Sequence, residues 1–244
     1  MSLLSHLSVS IAGYPVCESS PDDLAIRINR GIDNSQKTIL FFANTNFIVN
    51  CMLLRNSFFN KDVVIVNDGL GMDVGCLLTC GRKFKFNLNG TDFMPYFFLQ
   101  SQKTLRVFLI GATPIAINGA ADYLEQELGH IVVGRCDGYD GLDNTRNLVE
   151  LINQATADVI LVALGNPSQE TWILENYQLI NAKFFAGVGG LFDFWSGVKP
   201  RAPQWMQNVR MEWLFRLSIE PKRLYKRYTV DVLKFLLICV KERK

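Results

Sequence analysis

The sequence predicts an α/β fold: a parallel sheet covered on both faces by helices, followed by an all-helical C-terminal appendage. Three observations predict it. Short, uncharged or nearly uncharged β-rich runs recur through the first four-fifths of the chain. Each ends in a Gly or Asn turn and is followed by a helix-like stretch, the signature of βαβ units. After about Lys199 the strand signals stop and basic residues concentrate.

The apolar runs come in order at residues 38–43 (TILFFA), 63–66 (VVIV), 105–110 (LRVFLI), 159–163 (VILVA) and 184–188 (FFAGV). Continuous apolar runs of this length suit strands buried on both sides. Pro114 stands at a first helical position, with Ala116, Ala120, Leu124 and Leu128 following at helical spacing and Gly129 as the stop. Residues 144–155 form the next expected helix. The segment 201–244 reads as helical, with Pro221 opening a helix. On a wheel at 100° per residue, Lys222, Arg223, Lys226, Arg227, Lys234 and Lys241 share an arc of about 140°. Leu224, Tyr228, Val232, Phe235 and Cys239 fall opposite, so a single basic amphipathic helix is expected. No internal repeat, low-complexity tract or Pro-rich linker interrupts the chain.

Composition agrees with a packed core: 49% of the 244 residues are hydrophobic and 20% charged. The net charge of +2 hides an asymmetry. Residues 199–244 hold 12 Lys and Arg against 4 Asp and Glu, a net of +8, and residues 1–198 a net of −6. The expected division is therefore a core of residues 1–198 and a basic appendage of residues 199–244. A basic segment calls for an anionic partner: phosphate, nucleic acid or a membrane surface. The cysteines, at positions 17, 51, 76, 80, 136 and 239, form no C-x-x-C pair, and neither His6 nor His130 lies near them. They read as free thiols of a reducing cytosol, and no metal site is expected. The N-terminus lacks the basic region and cleavage site of a secretory signal. The apolar run at 235–240 is far short of the ~20 residues that span a bilayer.

In an open α/β sheet the chemistry gathers in the turns beyond the carboxyl ends of the strands. Those turns offer Asn44 and Asn46, then Asp68 with Gly69 and Gly71, then Gly111 with Thr113, then Asn166 and Gln169, then Gly189 and Gly190. The stretch NDGLGMDVG spaces its glycines as G-x-G-x-x-x-G, one residue too long for a dinucleotide fingerprint. Walker A, G-x-S-x-G and Asp-x-Asp strings are absent, and His130 reads as part of a surface turn. Asp68, acidic and at a strand end in a glycine turn, is the first candidate; capping its own turn is the plainer alternative.

The strings VNDGLGMDVG, NLNGTDF, VFLIGATP, DGYDG, VALGNPSQE, GVGGLFDFWSGVKPRAPQWM and MEWLFRLSIEPKRLYKRY occur in this order. Together they resemble the WecG/TagA/CpsF family, glycosyltransferase family 26, over roughly residues 35–230. The resemblance implies a Rossmann-like parallel sheet core of the GT-E type with a helical C-terminal appendage that helps form the site and attaches to the membrane. It implies an inverting, metal-independent enzyme with no cofactor, passing a hexose from a UDP-sugar to an undecaprenyl-diphosphate-linked saccharide in bacterial exopolysaccharide or envelope synthesis. The place implied is the cytoplasmic face of the inner membrane, held peripherally; glucose, N-acetylmannosamine and its uronic acid are all implied donors.

Residue by residue, Asp68 matches the implied general base. Gln169 matches a glutamine able to hydrogen-bond sugar or uridine, with a helix-start cap as its alternative. Arg216, Arg223 and Lys226 match basic positions that would steady the departing diphosphate, with a solvated charged face as theirs. Lys226 stands where arginine is more usual. Gly90, Asp92, Gly111 and Tyr139 are carried over as substrate-binding positions. Asn46 matches, whereas Asn44 replaces a threonine and Asn87 an arginine; both bear on specificity. Asp193 matches in a position that reads first as structural. Two rival readings stay open: a non-catalytic nucleotide-sugar-binding component of a polysaccharide assembly complex, and a nicotinamide-dependent oxidoreductase. A nucleic-acid partner fits the appendage less well than a membrane surface, because apolar residues accompany its charges. Packing of that apolar face on a second subunit is the alternative to lipid.

Overall fold

The computed structural model describes residues 8–138, 145–209 and 211–242. Strands β1 (Ser8–Ile11) and β2 (Tyr14–Cys17) form a hairpin, followed by α1 (Pro21–Asp33) and β3 (Thr38–Ala43). Next come α2 (Thr45–Asn50), a 3-10 helix (Met52–Phe59), β4 (Val63–Asn67), α3 (Leu70–Cys80) and α4 (Gly90–Leu99). The second half runs β5 (Arg106–Gly111), α5 (Pro114–Gln126), β6 (Ile131–Cys136), α6 (Thr145–Gln154), β7 (Val159–Ala163), α7 (Ser168–Asn176), β8 (Phe184–Gly187) and α8 (Leu191–Trp195). Four helices end the chain: α9 (Gln204–Asn208), α10 (Glu212–Ile219), α11 (Pro221–Tyr228) and α12 (Val230–Lys241).

The strands form one sheet in the order β1-β2-β4-β3-β8-β7-β5-β6. All neighbours are parallel except the β1–β2 pair. The five strands expected from the sequence are β4, β3, β8, β7 and β5, the contiguous middle of the sheet. Their side chains alternate between two cores. Ile39, Phe41, Ile65, Ile110, Ile160 and Phe185 face one. Leu40, Phe42, Val64, Leu109, Leu161 and Phe184 face the other. Strands β1, β2 and β6 were not expected. β1 and β6 lie at the edges and are mostly exposed or half-buried, so no continuous apolar run marks them; β2, between β1 and β4, is mostly buried but only four residues long and contains Pro15.

Caps explain the helix starts. The side chains of Ser20, Asn44, Asn89 and Thr113 accept hydrogen bonds from the first turns of α1, α2, α4 and α5. Beneath α2, the rings of Tyr14, Phe41, Phe47 and Phe58 meet at centroid distances of 5.2–6.1 Å. Tyr14 Oη closes this cluster by donating to the Ile48 carbonyl at 3.0 Å.

Two expectations are corrected. His130 is not a surface residue. It is buried, accepting at Nδ1 from Leu105 N–H and bonding at Nε2 to the Phe98 carbonyl, each at 3.0 Å. Burial lowers its pKa, and Nδ1, which accepts from a backbone N–H, carries no proton. The single amphipathic helix is two helices, broken at Thr229 (φ −116°, ψ −76°). Its apolar side does not face outward: Leu224, Phe235 and Cys239 are buried. Helix α12 rests on α2 and α3. The exposed side of α12 instead carries Val230, Leu233, Leu237 and Val240. No helix among the described residues is long and apolar enough to cross a membrane.

The seat of α12 is made by Gly75 in α3. A Cβ there would lie 2.5 Å from Phe235 Cζ and 3.1 Å from Ile11 Cγ2. Gly75→Ala is therefore expected to destabilise the protein by about 1–3 kcal/mol through overpacking. Urea unfolding measures the loss, and Phe235→Leu in the same chain should recover part of it.

Candidate active site

A cleft of about 980 Å³ opens at the carboxyl ends of β3, β4, β5, β7 and β8, with residues of α10, α11 and α12 forming its opposite wall. Its size suits a substantial ligand. Asp68 is the first residue after β4. Its N–H donates to the Ala43 carbonyl at 2.7 Å. One carboxylate oxygen accepts from Asn44 Nδ2 at 3.2 Å. Asn44 cannot turn away, because its Oδ1 caps α2 through Phe47 N–H at 3.1 Å. On the other side Gly69, at φ +86°, donates its N–H to Asn87 Oδ1 at 2.7 Å. The replacements noted in the sequence thus both act on the Asp68 turn: Asn44 bonds the carboxylate and Asn87 the next backbone amide.

Burial pushes the Asp68 carboxyl above the usual aspartate range. The Asn44 hydrogen bond and the positive charges of Arg216 and Arg227 pull it back, without cancelling the burial. Arg216 bonds Glu212 at 2.8 Å, and its guanidinium lies 4.6 Å from the centre of the Phe194 ring. Arg223 lines the cleft and pairs with Glu220. Lys226 does not line it: this residue is exposed, and Arg227, four residues after Arg223 on the same helix face, takes the inward position. Among the described residues no carboxylate pairs with Arg227. The i,i+4 spacing from Arg223 was the available signal for it.

The remaining candidates divide. Asn46 lines the cleft, donates to Asp231 of α12 at 3.3 Å and accepts from Asn166 Nδ2 at 3.4 Å. Gln169 also lines it but spends both its donor hydrogens inside the protein, on Asn166 Oδ1 (3.1 Å) and Glu170 Oε1 (2.8 Å), while its Oε1 accepts from Gly189 N–H (3.0 Å). Glu170 is wholly buried and its carboxyl is pushed up to about 7 by burial. Gly90 opens α4 at the cleft with no room to spare, since a Cβ would lie 3.1 Å from the Phe42 ring. Asp92 lines the cleft and pairs with Arg201 at 2.8 Å.

Gly111 is a correction. It stays out of the cleft lining, where Ala112 and Thr113 stand instead. Its φ of +102° and a would-be Cβ 2.6 Å from the Ala163 carbonyl make it a requirement of the turn beside β7. Tyr139 lies outside the described residues. Asp193 lines the cleft and holds Lys199 at 2.7 Å, and Lys199 also reaches Glu220 at 3.1 Å. Asn89, Glu212 and Trp213 line the cleft without having been singled out in the sequence. Among the described residues no three His, Cys, Asp or Glu side chains gather as metal ligands.

The arrangement joins a carboxylate of raised proton affinity to neighbouring guanidinium groups in one cleft, which suits proton abstraction beside a departing anion. Because the folded pKa of Asp68 is raised, its ionisation opposes folding, and stability is lost as pH rises from the ordinary aspartate value through that raised pKa. Asp68→Asn is therefore expected to raise the Tm at pH 7 while lowering activity about 10²–10⁴-fold, whereas a turn-capping role alone predicts a lower Tm and retained activity. If Asp68 is the base, the acid limb of kcat/KM against pH should lie above ~3.9, the ordinary aspartate value. Arg227→Ala should lower kcat at least tenfold, and Lys226→Ala by less than twofold, in the same steady-state assay.

The model of the glycosyl transferase WecG/TagA/CpsF family matches residues 9–244. An N-acetylglucosaminyldiphosphoundecaprenol N-acetyl-β-D-mannosaminyltransferase of Bacillus subtilis (strain 168) is 34% identical over 182 residues, covering 74% of this chain and 69% of that protein. The chain, with Asp68 at the strand end and its arginines on the closing helices, belongs to the WecG/TagA/CpsF family of glycosyl transferases.

Proposed function

We propose that this protein is an inverting hexosyltransferase that moves a sugar from a UDP-sugar to an undecaprenyl-diphosphate-linked saccharide. The observation that carries the reading is Asp68, set in the cleft within the fields of Arg216 and Arg227. An acceptor hydroxyl gives its proton to the Asp68 carboxylate as its oxygen attacks the anomeric carbon. The bond to the UDP oxygen breaks on the opposite face, so the configuration inverts. Arg216, Arg223 and Arg227 take up the negative charge that builds on the diphosphate, the part a divalent ion plays elsewhere. No metal or cofactor is needed for this scheme.

The name of the Bacillus relative supports the acceptor class and makes N-acetylmannosamine the first donor to test. The appendage is read as completing the site and meeting the cytoplasmic face of the bacterial membrane. Exposed Trp205, Leu233, Leu237 and Val240 beside Lys222, Lys226 and Lys234 fit an interfacial position.

A panel of UDP-sugars, incubated with an N-acetylglucosamine-diphosphate-lipid acceptor, tests the reading. Transfer from one donor with inverted linkage, reduced about 10²–10⁴-fold by Asp68→Asn, is expected. Donor binding without transfer to any diphosphate-lipid saccharide would leave the non-catalytic alternative.

A further inference from the structure

The cleft lining has two parts of opposite character. One comprises Asn44, Asn87, Asn89 and Asn166 with the arginines of the closing helices. The other, its apolar arm, comprises Leu70 and Val74 of α3 with Val232 and Leu236 of α12. Phe235, seated on Gly75, holds the two helices together. Asp68 precedes Leu70 by two residues, and Leu70 and Val74 stand one turn apart, about 6 Å, along α3. Both are large apolar side chains left 37–41% exposed.

We propose that this apolar arm is a binding groove for the first isoprene units of the acceptor's polyprenyl chain. The inference rests on the acceptor class proposed above and adds where its lipid leaves the enzyme. The three kinds of lining carry it. A saccharide–diphosphate–prenyl molecule is polar, then anionic, then apolar. One cleft offers hydrogen-bonding amides, the guanidinium groups of Arg216 and Arg227, and the apolar side chains of Leu70, Val74, Val232 and Leu236. A water-soluble acceptor would have no use for the last part, and exposed apolar walls are otherwise a liability. The groove is distinct from the outward side of α12, where Leu233, Leu237 and Val240 point away from the cleft lining.

The test compares two diphosphate-linked saccharide acceptors, one with a long polyprenyl chain and one with a short alkyl chain, in detergent micelles. Each buried methylene is worth roughly fourfold in affinity. The wild type should therefore favour the long chain in kcat/KM by tenfold or more. Val74→Asp and Leu236→Asp should each reduce that preference at least tenfold. Val74→Thr and Leu236→Ser serve where the charged variants fail to fold, with a smaller reduction in the same direction. Binding to plain phosphatidylglycerol vesicles, read by co-sedimentation, should stay within twofold of wild type for these variants. A preference that survives all four substitutions, or one that falls only in step with vesicle binding, overturns the groove. Wild-type turnover with equal kcat/KM for both chains overturns it too, while leaving the proposed function standing. Absence of transfer to either acceptor from every UDP-sugar refutes the proposed function itself.

Discussion

The seating of α12 on α3 is the contact on which the site depends. Phe235 lies over Gly75, where α3 has no side chain to exclude it. That contact places α12, and the chain running back through Thr229 places α11 and α10. Those helices bring Arg227, Arg223 and Arg216 to the cleft. The hydrogen bond from Asn46 to Asp231 ties α12 to the strand-end turns at a second point. The Asp68 carboxylate on the sheet and cations on the appendage are thus brought to a common cleft by hydrophobic packing between parts of the chain some 160 residues apart in sequence.

The carboxylate at the floor of the cleft is held against its own preference. Burial favours its protonated form, while Asn44 and two guanidinium groups favour the charged one. A group balanced in this way accepts a proton more readily than a fully solvated aspartate would, and the scaffold bears the electrostatic cost. The neighbouring network has a different character. Glu170, Gln169, Asn166 and Asn46 spend their polar atoms chiefly on one another, which fixes the loops after β7 and β8. Gln169 therefore reads as a brace for the floor of the cleft more than as a direct hand on the substrate.

How much of this the sequence discloses depends on burial. The five central strands are legible because both their faces are covered, which forces continuous apolar runs. The edge strands β1 and β6 are not, because partial exposure permits mixed composition, and β2 is not because its buried run is only four residues long and holds a proline. A helical wheel identified the apolar side of the appendage correctly as a stripe, but it could not say what covers that stripe, and the cover is protein. Nor could it show the break at Thr229, since no Pro or Gly marks it. Asp68 was legible from its place after a strand. The choice of Arg227 over Lys226 was only half legible: they lie four and three residues after Arg223, both on its side of the helix, and only packing decides which faces inward. Gly111 misled for a related reason: a glycine needed for its φ leaves the same mark as one kept clear for a ligand.

The hairpin at the start of the fold has a consequence for the order of assembly. Ile11 of β1 and Phe235 of α12 close on the same Gly75. β1 precedes α12 by some 220 residues, so the strand is synthesised well before the helix that shares its contact. Completion of the cleft wall, and with it the placing of Arg216, Arg223 and Arg227 opposite Asp68, therefore waits on the arrival of α12.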